Sequence, residues 1–157
     1  MITQYLKKII SGGQSGVDRA ALDVAQEMGI AVGGWCPKGR KAEDGRIADK
    51  YPLQETEDES YETRTQLNVR NSDATMILFR KNYDEGTQLT EQTAEKMQKP
   101  VLSVDLELNE EDNLEKAVSW LKEQRPEVLN VAGPRESNSP GIYQAAYGFL
   151  KRLLAGL

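Results

Sequence analysis

Five short apolar runs recur along the chain, and after each comes, directly or beyond a loop, a stretch whose apolar residues fall three and four positions apart. The short runs read as strands and the three-and-four spacing as amphipathic helices, so the alternation predicts a parallel sheet joined by crossover helices. Such a sheet has to be covered on both faces, which leaves few architectures.

Lys7–Ser11 reads as the first strand, closing on Gly12-Gly13, and Val17–Met28 as a helix with Ala21, Leu22, Ala25 and Met28 on one face. Ile30–Gly34 reads as the second strand. The following segment carries Trp35, Pro37, Gly39, Gly45 and Pro52, a punctuation that argues against regular structure and for a ligand-facing flap. A helix over Tyr61–Asn71 leads to a third strand, Ala74–Phe79, whose unbroken apolar run suits burial on both faces. A helix from Gly86-Thr87 to Gln98, a strand over Pro100–Val104, a helix over Glu111–Gln124 and a fifth strand over Val128–Ala132 follow. The last helix is expected to open at Ser139-Pro140, with serine as its cap and proline at its first position.

Right-handed crossovers and short connections make 2-1-3-4-5 the simplest order for these strands. The expected fold is therefore α/β, a Rossmann-like three-layer αβα sandwich on a five-stranded parallel sheet. One domain spanning residues 1–157 is expected from the length. In this order the first and third strands are neighbours, and a ligand would collect in the crevice between them.

Composition narrows the chemistry. The chain has no histidine and a single cysteine, Cys36, which excludes imidazole bases, Ser-His-Asp triads and an internal disulfide. A formal charge of −5 argues against a nucleic-acid coat. No apolar run reaches membrane-spanning length, and the first residues lack a secretory leader's apolar stretch, so a cytoplasmic location is expected.

Three loops at strand ends carry the candidate binding residues. Gly12, Gly13, Gln14, Ser15 and Gly16 link a strand to a helix, where backbone donors can meet a phosphate; a tight glycine turn is the plainer reading. The spacing is neither GxGxxG nor GxxxxGK[ST]. Asp18 either forms a capping box with Ser15 or holds a ligand hydroxyl, amine or metal-bound water, with Arg19 beside it to offset its charge. The second loop brings Gly86, Thr87 as a helix cap, and Thr90. The third carries Arg135 at its tip, a side chain whose planar fork suits phosphate. Lys38, Arg40 and Lys41 lie in the flap, either as anion ligands or as a solvated face.

The motifs Ile10-Ser11-Gly12-Gly13-Gln14-Ser15-Gly16-Val17-Asp18-Arg19 and Gly34-Trp35-Cys36-Pro37-Lys38-Gly39-Arg40, followed in order by Arg70-Asn71-Ser72-Asp73-Ala74, Gly86-Thr87-Gln88-Leu89-Thr90 and Asn130-Val131-Ala132-Gly133-Pro134-Arg135, resemble the molybdenum carrier family over nearly the whole chain. That family is similar to the lysine-decarboxylase-like phosphoribohydrolases, which cleave a nucleoside monophosphate to base and ribose phosphate. Their second loop reads G-T-x-x-E with a catalytic glutamate; here Thr90 stands at that place, and Glu91 points about 100° further round the helix. Arg64 falls near an arginine those enzymes use. The resemblance thus supports phosphate binding and weakens hydrolysis.

It further implies carriage of molybdenum cofactor, a pterin with a terminal phosphate, for delivery to a molybdoenzyme acceptor. In that picture the glycine loops take the phosphate, Lys38, Arg40 and Arg135 take the oxoanion, and Trp35 stacks on the pterin or simply packs. Cys36 is either a metal ligand or a small buried hydrophobe. The alternatives are a nucleotide sensor and a nucleoside-monophosphate phosphoribohydrolase. Related binders imply a homo-oligomer, with Trp35 and Tyr51 as possible anchors.

Overall fold

The longest apolar run, Ala74–Phe79, forms a strand in the sheet interior whose first five residues are all buried. The computed structural model describes residues 4–156; the expectation about the leader falls partly on residues 1–3, outside that range. In chain order the elements are β1 (Lys8–Ile10), α1 (Val17–Glu27), β2 (Ala31–Gly33), β3 (Trp35–Cys36), β4 (Lys41–Ala42), β5 (Gly45–Arg46), β6 (Gln54–Glu55), α2 (Tyr61–Arg70), β7 (Ala74–Phe79), α3 (Glu85–Lys96), β8 (Val101–Asp105), α4 (Glu110–Gln124), β9 (Val128–Ala132) and α5 (Ile142–Ala155). Among the described residues no helix is long and apolar enough to cross a membrane.

The main sheet is five-stranded and parallel throughout, as expected, but its order is β2-β1-β9-β7-β8. The fifth main strand lies between the first and the third, which corrects the order 2-1-3-4-5. The reason lies in α5, which buries Ile142, Ala146, Phe149, Leu150, Leu153 and Leu154. An edge strand would give that helix one neighbour; from the sheet centre it packs against both α1 and α4. The edge falls instead to β8, where buried Leu102 and Val104 alternate with half-buried Val101, Ser103 and Asp105.

Helices α1, α4 and α5 cover one face, and α2 packs against α3 on the other. Strand alternation then sorts the side chains. Met76, Leu78, Leu129 and Val131 join the core beneath α1, α4 and α5, while Thr75 and Asn130 face the α2–α3 side, where the Asn130 Nδ2 donates to Thr75 Oγ1 at 3.3 Å.

The segment between β2 and α2 is more ordered than its punctuation predicts. Strand β3 pairs with β6 in parallel, β4 pairs with β5 as a hairpin, and Leu22, Cys36, Ala42, Ile47, Tyr51 and Leu53 form a separate apolar cluster. Asn68 of α2 anchors it like an extra strand, accepting from Trp35 N at 2.8 Å and donating to Trp35 O at 3.0 Å. The start of α5 also differs: its cap is Gly141, with φ of 90°, and not Ser139. Glu136 takes the capping role, accepting from Gly141 N at 2.7 Å and Tyr143 N at 2.9 Å.

Candidate functional site

The loops after β1, β7 and β9 all leave the same edge of the sheet, and between them and α2 lies a cavity of about 720 Å³. That volume suits a nucleotide-sized molecule. Of the candidates singled out above, Gly12, Gln14, Asp18, Arg64, Gly86, Thr90 and Arg135 line it. The structure adds Asn68 and Asn130 at the floor, Tyr61 and Tyr83 as aromatic walls, and Asp84. Asn130 had a legible signal, a carboxamide in the middle of the apolar run Val128–Ala132. Tyr61, Asn68 and Tyr83 had none, because nothing local distinguishes them from ordinary surface positions.

Asp18 sits low in the cavity with 9% of its side chain exposed, and Arg64 lies beside it with Nη1 3.8 Å from Oδ2. Burial pushes the Asp18 carboxyl up to about 6, against the opposing pull of Arg64 and of the Gln14 N–H; the nearby Asp84 charge adds to the rise. The capping box with Ser15 does not form: α1 is capped by Gly16 without a side-chain bond, and Asp18 Oδ2 accepts from Gln14 N at 3.4 Å. Arg64 is held by Gly12 O at 3.3 Å and by the Tyr61 ring, 5.0 Å from its centroid.

The glycine loop is largely satisfied from within. Besides the Gln14 bond, Gly13 N donates to Ser11 Oγ at 3.4 Å and Ser15 N to Gln14 Oε1 at 3.0 Å. Three donors that the turn offers a phosphate therefore already have acceptors. Ser15 Oγ donates to Glu43 and accepts from Glu136 N at 3.2 Å, which ties the flap to the loop after β9. Burial works against the Glu43 charge, yet donors on Ser137 and Ser15 and the Arg135 guanidinium hold its carboxyl below the usual range.

The remaining predicted ligands lie outside the cavity lining. Arg40 is buried, and its guanidinium donates to the carbonyls of Ile47, Leu53, Ala48 and Tyr51 at 2.7 to 3.2 Å, so it closes the flap and does not face an oxoanion. Lys38 lies with Glu55, Glu57, Asp58 and Glu59 in a separate hollow. Trp35, expected to stack on a ligand, is half-buried and absent from the lining, its backbone N and O bonded to Asn68. Arg19 is engaged by Gly13 O at 2.9 Å and pairs with Asp44, also at 2.9 Å. Cys36 is fully buried in the flap cluster, and burial pushes its thiol up, away from a metal-binding thiolate. Tyr51 is buried there too and donates to Asp23, which removes it as an interface anchor. Thr87 is buried with its Oγ1 unpartnered among the described residues, and the cap of α3 is Asp84, which accepts from Thr87 N at 2.9 Å. None of the flap lines the cavity, which corrects its reading as ligand-facing.

Two adjacent glycines separate binding from folding. A Cβ on Gly12 would lie 2.6 Å from Arg64 Nη1, whereas one on Gly13, whose φ is 76°, would lie 2.6 Å from Leu53 Cδ1 in the flap cluster. Gly12→Val is expected to displace Arg64 and lower ligand affinity by at least about tenfold with little loss of stability, while Gly13→Val destabilises by about 1–3 kcal/mol. Thermal melts with titration calorimetry check the pair; equal destabilisation by both would contradict this assignment.

The family model for the circularly permutated YpsA SLOG family matches residues 9–154. The chain belongs to that family. A crystal structure of a putative molybdenum carrier protein from Syntrophus aciditrophicus SB is 46% identical, superposes with a TM-score of 0.93 and matches over 96% of each chain, so the resemblance read from the motifs is borne out. No curated protein matches the chain. Permutation accounts for the strand order. If counting starts at β9, the strands β9, β1, β2, β7 and β8 become 1 to 5, and β2-β1-β9-β7-β8 becomes 3-2-1-4-5, the doubly wound order. The switch point then falls between β9 and β7, and the loop bearing Arg135 takes the place of the first strand-to-helix turn.

Proposed function

We propose that the chain binds and carries a phosphate-bearing small molecule with a planar heterocycle, molybdopterin being the leading class, and does not cleave it. The carrying observation is the state of the carboxylates at the α3 end of the cavity. Thr90 stands where the related hydrolases have glutamate, and its hydroxyl bonds back to Gly86 O at 3.0 Å. Glu91 is turned away and accepts from Tyr83 at 2.6 Å and Ser103 at 3.0 Å. A neutral hydroxyl cannot stabilise an oxocarbenium-like transition state as a carboxylate does.

The cavity suits such cargo. Arg135 supplies a guanidinium group for an anion, Arg64 offsets the Asp18 charge beside it, and Tyr61 and Tyr83 take the aromatic role first expected of Trp35. Charge-assisted hydrogen bonds contribute about 1.5–3 kcal/mol each, so two or three support micromolar binding. The name of the Syntrophus neighbour favours a molybdenum-bearing pterin over a plain nucleotide. Titration calorimetry with molybdopterin and with nucleoside monophosphates, alongside chromatography for released base, tests the reading. Binding without base release is expected. Rapid release would move the function to the phosphoribohydrolases, with Asp18 as the available buried carboxylate.

A further inference from the structure

The polar groups of the cavity are unevenly arranged. Deep in it, Asp18 presents one carboxylate oxygen to the Gln14 N–H and Arg64; its other oxygen, Oδ1, has no hydrogen-bond partner among the described residues and stays open on a side chain that is otherwise nine-tenths buried. An acceptor left open on a cavity-lining side chain offers a ligand's donor a place to bind. Arg135, by contrast, lies at the rim with 39% of its side chain exposed, where its Nε is 3.7 Å from Glu43.

We infer that Asp18 is the specificity-determining group of this cavity: its free oxygen selects ligands that bring a neutral hydrogen-bond donor to the floor, and its charge turns the ligand's phosphate outward to Arg135. This rests on the binding reading above and adds the polarity with which a ligand enters. The donor is a sugar hydroxyl or a ring N–H; both offer the same hydrogen to the same oxygen. Phosphate is excluded from the floor on two counts. The loop donors that would hold it are already engaged, and a carboxylate beside it would repel it. The charged groups facing Asp18 are Arg64 from α2, Asp84 ahead of α3 and Arg19 from its own helix, and Arg19 is paired with Asp44.

Asp18→Asn supplies a test whose sign depends on the probe. The carboxamide oxygen keeps the bond from Gln14 N, so the amide NH2 turns toward the cavity and an acceptor becomes a donor. At pH 8, with folding verified by melting, GMP is expected to bind the variant about 10- to 100-fold more weakly, while inorganic phosphate binds it more tightly than wild type. Ribose 5-phosphate and guanine as separate probes identify the donor: a loss confined to the first assigns a sugar hydroxyl, and one confined to the second a ring N–H. Arg135→Ala should weaken GMP and leave guanosine unchanged. Parallel weakening of GMP and phosphate by Asp18→Asn, or no change in either, overturns the inference while leaving the carrier reading intact. Failure of wild type to bind any nucleotide or pterin probe overturns both.

Discussion

Arg40→Ala is expected to lower stability by about 3–5 kcal/mol and to melt the flap ahead of the sheet. Four carbonyls, of Ile47, Ala48, Tyr51 and Leu53, converge on one guanidinium that is itself buried, and the exposed Asp49, 3.9 Å away, contributes little of the charge balance. Truncation leaves the Leu53 carbonyl without a donor and strips those of Ile47, Ala48 and Tyr51 of their charged one, which costs more than the net value of the bonds themselves. Lysine cannot substitute fully, because an ammonium lacks the planar fork that reaches several carbonyls at once. Arg40 also sits at φ of 55°, so Arg40→Gly relieves backbone strain while removing the donors. Chemical denaturation of all three variants, with amide exchange followed over residues 41–55, checks the account. An Arg40→Gly protein as stable as wild type would show that strain, and not the carbonyl cage, governs this segment.

Asp18→Asn is expected to change the pH dependence of stability in the opposite direction from ordinary acid denaturation. The ordinary value for this carboxyl is 3.8, and the folded protein raises it to about 6, chiefly by burial. Between those values the native state holds a proton that the unfolded chain has released, so stability from this group is fullest below about pH 4 and falls as pH rises through about 6. Asparagine mimics the protonated form at every pH. The stability of Asp18→Asn relative to wild type should therefore grow by about 1–3 kcal/mol between pH 4 and pH 7.5 and then level off. Asp44 behaves conversely: its bond to Arg19 holds it below the usual range, and its contribution is lost as pH falls through its depressed value. Taking the difference between variant and wild type cancels that background. A difference independent of pH would mean that Asp18 titrates normally and is more hydrated than its position implies.

The candidate binding residues divide along a physical line. Asp18, Thr90 and Arg135, read from the loops at strand ends and the helices after them, line the cavity, as does Arg64, which only the family resemblance marked. Arg40 and Lys38 share one basic stretch with the motif, yet the flap folds on its own apolar cluster and takes Arg40 inward while Lys38 faces an acidic hollow. Charge in a sequence does not report the direction in which a loop closes.

The alternation of apolar runs and amphipathic stretches was enough to establish the parallel sheet, its helices and the common edge from which the three loops emerge, since periodicity belongs to windows of a few turns and needs no distant partner. Strand order was beyond it. Placing β9 at the centre depends on burying α5 between α1 and α4, helices remote in sequence, and the same placement sets Asn130 into the cavity floor. Only the tertiary structure decided that Asp18 would meet Arg64, 46 positions along the chain (64 − 18), in a setting dry enough to raise its carboxyl; desolvation is a property of the assembled cavity and of no segment alone.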